Sequence, residues 1–429
     1  MLRKICGFIL ASQLVFVLAE AQSFVAPALP EIPGKVFNVT NYGGLGDGLT
    51  TNTAAIQAAL DAAIGAGGGT VEVPAGIFLS GPIQMASHIN LQVTGTLQML
   101  PLGKYPGGTT DPANFISGAG LHDIAISGAG TIDGQGSPWW RYAKTRGARR
   151  PRMISFSSCE RVLIENVRLT NSPMFHIAIS GRTTDVTVRG VMIRANPSTD
   201  PVNPSHNTDA CDVTGKRILI ENCDVSVGDD NYTCGGGTSD VLITNCTYGY
   251  GHGVSIGSPT SGGISNFTVM NCTFNNTESG IRIKSDRDRG GYLHNLSYLN
   301  LRMTNVGCPI LIYGSYNATG AYRNLNNLTP AIAASYSGSP VGNRTPIYRD
   351  ITFSNLTATV QPGRRAGLIW GLPEMAVTNV LLQQVNITAD KPFGIYYAQN
   401  VRLVDSKIIT TASVNQLSCT NAQVTITPR

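Results

Sequence analysis

Apolar and polar residues alternate with period two in short segments rich in Val, Ile and Thr, and Gly, Asn, Asp or Ser separates one segment from the next. That is strand-and-turn chemistry, with no helical period running through it. The segments also repeat. An apolar stretch ending in Asn or a stand-in recurs as Ile164-Glu165-Asn166, Val188-Arg189-Gly190, Ile220-Glu221-Asn222, Ile243-Thr244-Asn245, Val269-Met270-Asn271, Tyr298-Leu299-Asn300 and Phe353-Ser354-Asn355. Up to Asn300 the successive steps are 24, 32, 23, 26 and 29 residues, and a period in the twenties means a solenoid. Strands joined by turns too short for a crossover helix cannot form an ordinary parallel sheet, yet each can stack on its counterpart in the next coil. The expected fold is all-β, a right-handed parallel β-helix forming one domain over residues 22–429.

Helical patterning appears clearly once, over Asn52 to Ile64, ended by Gly65 and the run Gly67-Gly68-Gly69. A short helix there is expected to cap the N-terminal end of the solenoid, which would otherwise expose unpaired strand edges. The step from Asn300 to Asn355 is 55 residues, about two coils plus a polar insertion between Tyr313 and Pro346. A second loop runs from Ser137 to Arg152. Insertions in a solenoid tend to lie on one face and shape its binding surface.

Met1 to Ala21 reads as a processing signal: Arg3 and Lys4, an apolar run from Ile5 to Leu18, then Ala19-Glu20-Ala21. The mature chain is therefore expected outside the cell, or in the periplasm of a bacterium, with no membrane span. Only 13% of residues are charged and 48 are Gly, which excludes disordered, coiled-coil and basic nucleic-acid-binding classes. A net charge of +5 is too mild to name a partner. Beyond the leader stand Cys159, Cys211, Cys223, Cys234, Cys246, Cys272, Cys308 and Cys419, an even set that permits disulfides in an exported chain. No CxxC pair occurs, which argues against structural zinc. Cys223, Cys246 and Cys272 follow the repeated Asn, so a stacked ladder of free thiols fits as well as bridges do.

Four motifs place polar groups where the repeat calls for ladder residues: Asn207-Thr208-Asp209, Gly228-Asp229-Asp230, Gly251-His252-Gly253 and Arg282-Ile283-Lys284. From Asp209 to Asp230 is 21 residues, from Asp230 to His252 is 22 and from His252 to Lys284 is 32, about one coil each. Residues one coil apart lie side by side at ~4.8 Å, so the motifs converge on one outer face. Period two sends Ile283 inward and both Arg282 and Lys284 outward, where like charges repel unless an anion lies across them. Gly228 suggests a bend that lets both aspartates reach the cleft, and the glycines around His252 leave room for close approach of a substrate. Any one motif alone reads as a solvated turn or an ordinary charged face; four in phase read as a catalytic site. Paired carboxylates without a nucleophilic Ser or Cys constellation point to glycoside hydrolysis, and crowding should raise one carboxyl's pKa to supply the acid. A cationic pair beside them points to a polyuronide substrate.

These motifs, with Tyr42-Gly43-Gly44-Leu45-Gly46-Asp47-Gly48, Gly68-Gly69-Thr70-Val71-Glu72-Val73-Pro74-Ala75-Gly76 and Asn171-Ser172-Pro173-Met174-Phe175-His176, resemble the polygalacturonases of glycoside hydrolase family 28 over most of the chain. The resemblance implies a right-handed β-helix that hydrolyses α-1,4-linked galacturonan with inversion, without metal or other cofactor. It implies Asp229 as general acid, Asp209 and Asp230 as the pair that activates water, and His252 as support for the acid. Arg282 and Lys284 would clamp the substrate carboxylate, with Asn207, Asp212 and Tyr316 as further substrate-binding positions. The family's usual local disulfide is in doubt because Asn231 follows the two aspartates; Cys234 with Cys246, or Cys223 with Cys246, would be the candidates. The implied partner is pectic polygalacturonate, met by a monomer, with exo action favoured if the loops at Lys144–Arg152 and Ser285–Gly291 close the cleft. Alternatives are a pectate lyase using calcium, a related activity on rhamnogalacturonan or xylogalacturonan, and a non-catalytic carbohydrate-binding β-helix.

Overall fold

The computed structural model describes residues 24–427; the leader expected at Met1–Ala21 lies outside the described residues. The described chain is a right-handed parallel β-helix. The repeated phrase is one interior ladder. Ile164 pairs with Val188, Val188 with Ile220, Ile220 with Ile243, Ile243 with Val269, Val269 with Tyr298 and Tyr298 with Phe353. All are buried, so each coil closes on a core built from the same position in its neighbours.

The residue ending each phrase has a backbone reason. Asn166, Gly190, Asn222, Asn245, Asn271, Asn300 and Asn355 all sit at φ between 52° and 63°. That left-handed region is costly for most side chains and open to Gly and, through local hydrogen bonding, to Asn. The amides also stack: Asn300 Nδ2 donates to Asn271 Oδ1 at 3.0 Å and Asn355 Nδ2 to Asn300 Oδ1 at 2.9 Å. Each turn is thus fixed by its own φ and by the turn below it.

The helix Thr53–Gly65 buries Ile56, Ala59, Leu60 and Ala63, spaced as one helical face, and packs on the first strands, Val36–Asn38 and Gly69–Val73. The expected N-terminal cap is present. Among the described residues no helix is long and apolar enough to cross a membrane. The eight described cysteines are free. Cys223, Cys246 and Cys272 stack on consecutive coils, since the residues that follow them, Asp224, Thr247 and Thr273, are in register; neither disulfide considered from the sequence is formed.

One outer sheet carries the polar interruptions. Val254–Ile256, Ile281–Lys284, Ile310–Tyr313 and Arg365–Trp370 belong to it, and Cys211–Val213, the last strand of a separate five-stranded sheet, continues it through the Asp212–Thr233 and Tyr232–Val254 bridges. Asp212 pairs with Thr233, Ser255 with Arg282, Arg282 with Leu311 and Leu311 with Leu368. The insertion after Tyr313 folds against the outside of this sheet around a second apolar cluster of Leu311, Tyr313, Leu328, Ala333, Leu368, Trp370 and Tyr396.

Candidate active site

The backbone brings the motifs together coil by coil. Ala210 N donates to Asp230 O at 2.9 Å and His252 N to Asp229 O at 2.8 Å, so Asp209, the aspartate pair and His252 stand on neighbouring coils. Ile283 is fully buried, which turns Arg282 and Lys284 to the same outer surface. The glycines serve packing more than access. A Cβ on Gly228 would lie 2.2 Å from Ser205 O, and one on Gly253 would lie 2.1 Å from Ser279 O. The space expected beside His252 for a substrate is, at Gly253, filled by the backbone of the next coil.

Asp230 is the electrostatic centre. Lys284 Nζ donates to its Oδ2 at 3.0 Å, while Ser255 Oγ, at 2.8 Å, and Arg282 Nη2 donate to Oδ1. Burial pushes its carboxyl up, but the two cations outweigh burial and hold it well below the usual carboxylate range. Arg282 and Lys284 therefore have a partner inside the protein before any substrate carboxylate arrives.

Asp229 accepts from Asn207 N at 3.1 Å, Asn207 Nδ2 at 3.2 Å and Asp230 N at 3.0 Å, and its Oδ1 lies 2.9 Å from His252 Nδ1. Burial raises its pKa, yet the His252 hydrogen bond and charge prevail and the net shift is downward. His252 is gripped on both sides, since its Nε2 lies 2.9 Å from Glu278 Oε2. Burial alone would lower its pKa, but the Asp229 and Glu278 carboxylates raise it to about 10. Glu278, 59% exposed at the side chain, is lowered to about 2 by the same hydrogen bond.

Crowding was expected to raise one carboxyl and so supply the acid, which the resemblance put at Asp229; Asp229 is lowered instead, and of the three crowded aspartates the raised one is Asp209. It is 6% exposed, its Oδ1 has no hydrogen-bond partner among the described residues, and burial followed by the charges of Asp229 and Asp230 pushes it well up. Asp212, at the edge of the cluster, is raised to about 6, chiefly by burial. Tyr316 is 42% exposed and its ring lies 5.4 Å from Lys284 Nζ, which places it at the same cleft.

Every residue singled out from the sequence is in this cluster or at its margin. Three participants were not singled out. Glu278 lies 26 residues past His252 and Ser255 lies 27 before Arg282, so extending the same phase count finds both. Arg150 has no periodic signal. It comes from the Ser137–Arg152 loop and donates to Asn207 Oδ1 at 2.9 Å, His206 O at 2.8 Å and Pro173 O at 3.0 Å. Arg287 of the other loop turns away to Glu374, at 2.6 Å.

Asp229, Asp230 and His252 bring potential ligand atoms within 4.8 Å of one another. Both nitrogens of His252 and both oxygens of Asp230 already have partners, however, and Arg282 and Lys284 stand where a divalent cation's charge would act. A cavity of 660 Å³, lined in part by Lys216, Ser239, Tyr292 and Arg344, shares no residue with the aspartate cluster.

The family model described as glycosyl hydrolases family 28 matches residues 66–414. A polygalacturonase of Juniperus ashei is 32% identical over 350 residues, covering 76% of this chain and 62% of that protein. An exopolygalacturonase of Zea mays is 30% identical over 376 residues, covering 83% and 84%. The crystal structure of an exopolygalacturonase from Thermotoga maritima superposes with a TM-score of 0.74 at 23% identity, over 91% of this chain and 95% of that one.

Proposed function

The chain belongs to glycosyl hydrolase family 28, and on that premise we propose that it hydrolyses α-1,4 bonds between galacturonate units of pectic polygalacturonate, with inversion, as an exported monomer. The observation that carries this reading is the unequal electrostatics of three adjacent aspartates: burial and its neighbours' charges push Asp209 up, while His252 draws Asp229 down and Arg282 and Lys284 draw Asp230 down. The His252–Asp229 pair then supplies a proton donor and Asp230 a base, the two roles that glycoside hydrolysis requires.

Asp229 and His252 act as one proton-carrying unit. The imidazolium proton passes across the 2.9 Å contact to Asp229, which delivers it to the leaving glycosidic oxygen. A water held by Asp209 and Asp230 attacks the sugar carbon, and its proton goes to Asp230. The substrate carboxylate competes with Asp230 for Arg282 and Lys284, which raises the proton affinity of Asp230 as it becomes the base. Arg150 and its loop stand against the Asn207 side of the cluster, which supports release of units from a chain end.

The test is incubation with polygalacturonate in a chelator, following reducing ends, ultraviolet absorbance and product length together. New reducing ends without absorbance, with monomer as product, are expected. Absorbance that vanishes with the chelator would mean calcium-dependent elimination instead, and a ladder of oligomers would mean attack within the chain.

A further inference from the structure

The segment Asn171-Ser172-Pro173-Met174-Phe175-His176 ends in a histidine with no exposed surface, one coil before Asn207-Thr208-Asp209. The surroundings of its ring fix which nitrogen carries hydrogen. Ser172 N donates to Nε2 at 3.3 Å, which leaves the proton on Nδ1, and Nδ1 donates to Thr208 O at 3.2 Å and to Asp209 O at 3.3 Å. The main chain adds to the same grip, since His176 N donates to Asp209 O at 2.8 Å. Burial pushes the ring down to about 4 against the carbonyls of Asp209, Arg194 and Thr208, so the imidazole is neutral near pH ~7 and keeps one N–H.

The carboxyl beyond these bonds is weakly held by contacts of its own. Asp209 Oδ1 is buried with no hydrogen-bond partner among the described residues, so its aim follows from the main chain that bears it. Thr208 is fixed from the other side: its Oγ1 donates to Ser205 O at 2.7 Å and accepts from Gly228 N at 3.0 Å. The peptide joining Thr208 to Asp209 is therefore pinned between the His176 ring on one coil and the turn that opens the aspartate pair on the next. The Ser137–Arg152 loop holds the histidine's own segment, through Trp140 Nε1 to Ser172 O at 2.9 Å and Arg150 Nη1 to Pro173 O at 3.0 Å.

We propose that His176 is the positioning residue of Asp209: through Thr208 O and Asp209 O it sets the carboxyl where, with Asp230, it holds the attacking water. The inference rests on the hydrolase reading for that water, while the hold on the peptide is a property of the chain alone. A ring that merely filled the core would need no particular nitrogen protonated; a positioning ring does.

Three variants are compared with the full protein on polygalacturonate. His176→Phe keeps the ring's bulk without its nitrogens, His176→Asn puts an amide nitrogen in the place of Nδ1, and His176→Gln puts an amide oxygen in the place of Nε2. His176→Phe should lower kcat ~100-fold, the scale of an ångström's misplacement of a reacting group, with KM little changed. His176→Asn should recover most of kcat and His176→Gln little of it, although urea unfolding should rank the two alike, because each loses one side of the ring's bonds. If His176→Phe fails to fold, Asn against Gln decides. Equal kcat in those two, or a loss carried by KM, overturns the proposal. The ring also reports without substrate: nitrogen NMR of histidine-labelled protein should show His176 with hydrogen on Nδ1 and a bare Nε2. That tautomer with no hydrolysis by the full protein would sink the hydrolase reading and leave the hold on Asp209; hydrolysis with hydrogen on Nε2 would sink the hold alone.

Discussion

Asp229 and Glu278 hold the two ends of His252, at 2.9 Å each, and this arrangement separates their contributions. Asp229→Asn should leave binding of pectate nearly intact while turnover falls at least ~100-fold, the scale of general acid catalysis, as steady-state kinetics on polygalacturonate would show. Glu278→Gln removes one of the two anions that lift His252 to about 10, so its imidazolium is lost at lower pH. The alkaline limb of the pH–rate profile should move toward neutrality, with the acid limb little changed; an unmoved alkaline limb would reduce Glu278 to a surface contact. The sign for stability is the same. A histidine raised above its unfolded value of about 6.5 contributes stability fully present below that pH and lost as pH rises through about 10. The identity of these groups was legible because spacing of one coil predicts adjacency. Their charge states were not, since burial at Asp209 and the cations on Asp230 depend on which atoms close over them.

At the scale of the turn, the repeated Asn is a backbone device. Asn300→Ala keeps a small side chain but loses the amide bonds to Asn271 and Asn355 and leaves alanine at φ 54°. It should destabilise by ~1–2 kcal/mol, the cost of the left-handed region, whereas Asn300→Gly should be milder, as Gly190 shows is tolerated. Urea unfolding of both variants measures the difference, and equal losses would assign the role to the amide alone. The phrase made the interior ladder legible from Ile164 to Phe353 because φ and burial both constrain it. Gln384, at φ 55°, and Asp405, at φ 50°, also sit in left-handed turns, but their side chains broke the pattern the eye follows. The Arg150 contact was hidden for a different reason: a loop carries no period, and its landing place follows from the packed structure.

For the molecule as a whole, each coil touches chiefly its neighbours, so protection should be graded along the axis rather than uniform. The N-terminal end lies under helix Thr53–Gly65, while among the described residues strand Leu417–Thr427 pairs on one side only, with Lys391–Val404. Amides of Leu417–Thr427 should exchange first by hydrogen-exchange mass spectrometry, well before those of the ladder through Ile220, Ile243 and Val269. Simultaneous exchange would mean that the solenoid opens as one unit. The extent of the fold was legible at this scale because repetition is its cause; the insertion after Tyr313, with its own apolar cluster, was visible only as an interruption.

The stacking of Asp209, Asp229, His252 and Glu278 on consecutive coils makes the distance between reactive groups a whole number of steps rather than a continuous variable. Such a scaffold cannot slide an acid half an ångström toward its base by adjusting a loop. It can move a group by one full step, or change reach by exchanging Asp for Glu. Variation in this chemistry should therefore come in discrete jumps, with side-chain length as the fine adjustment and the coil as the coarse one.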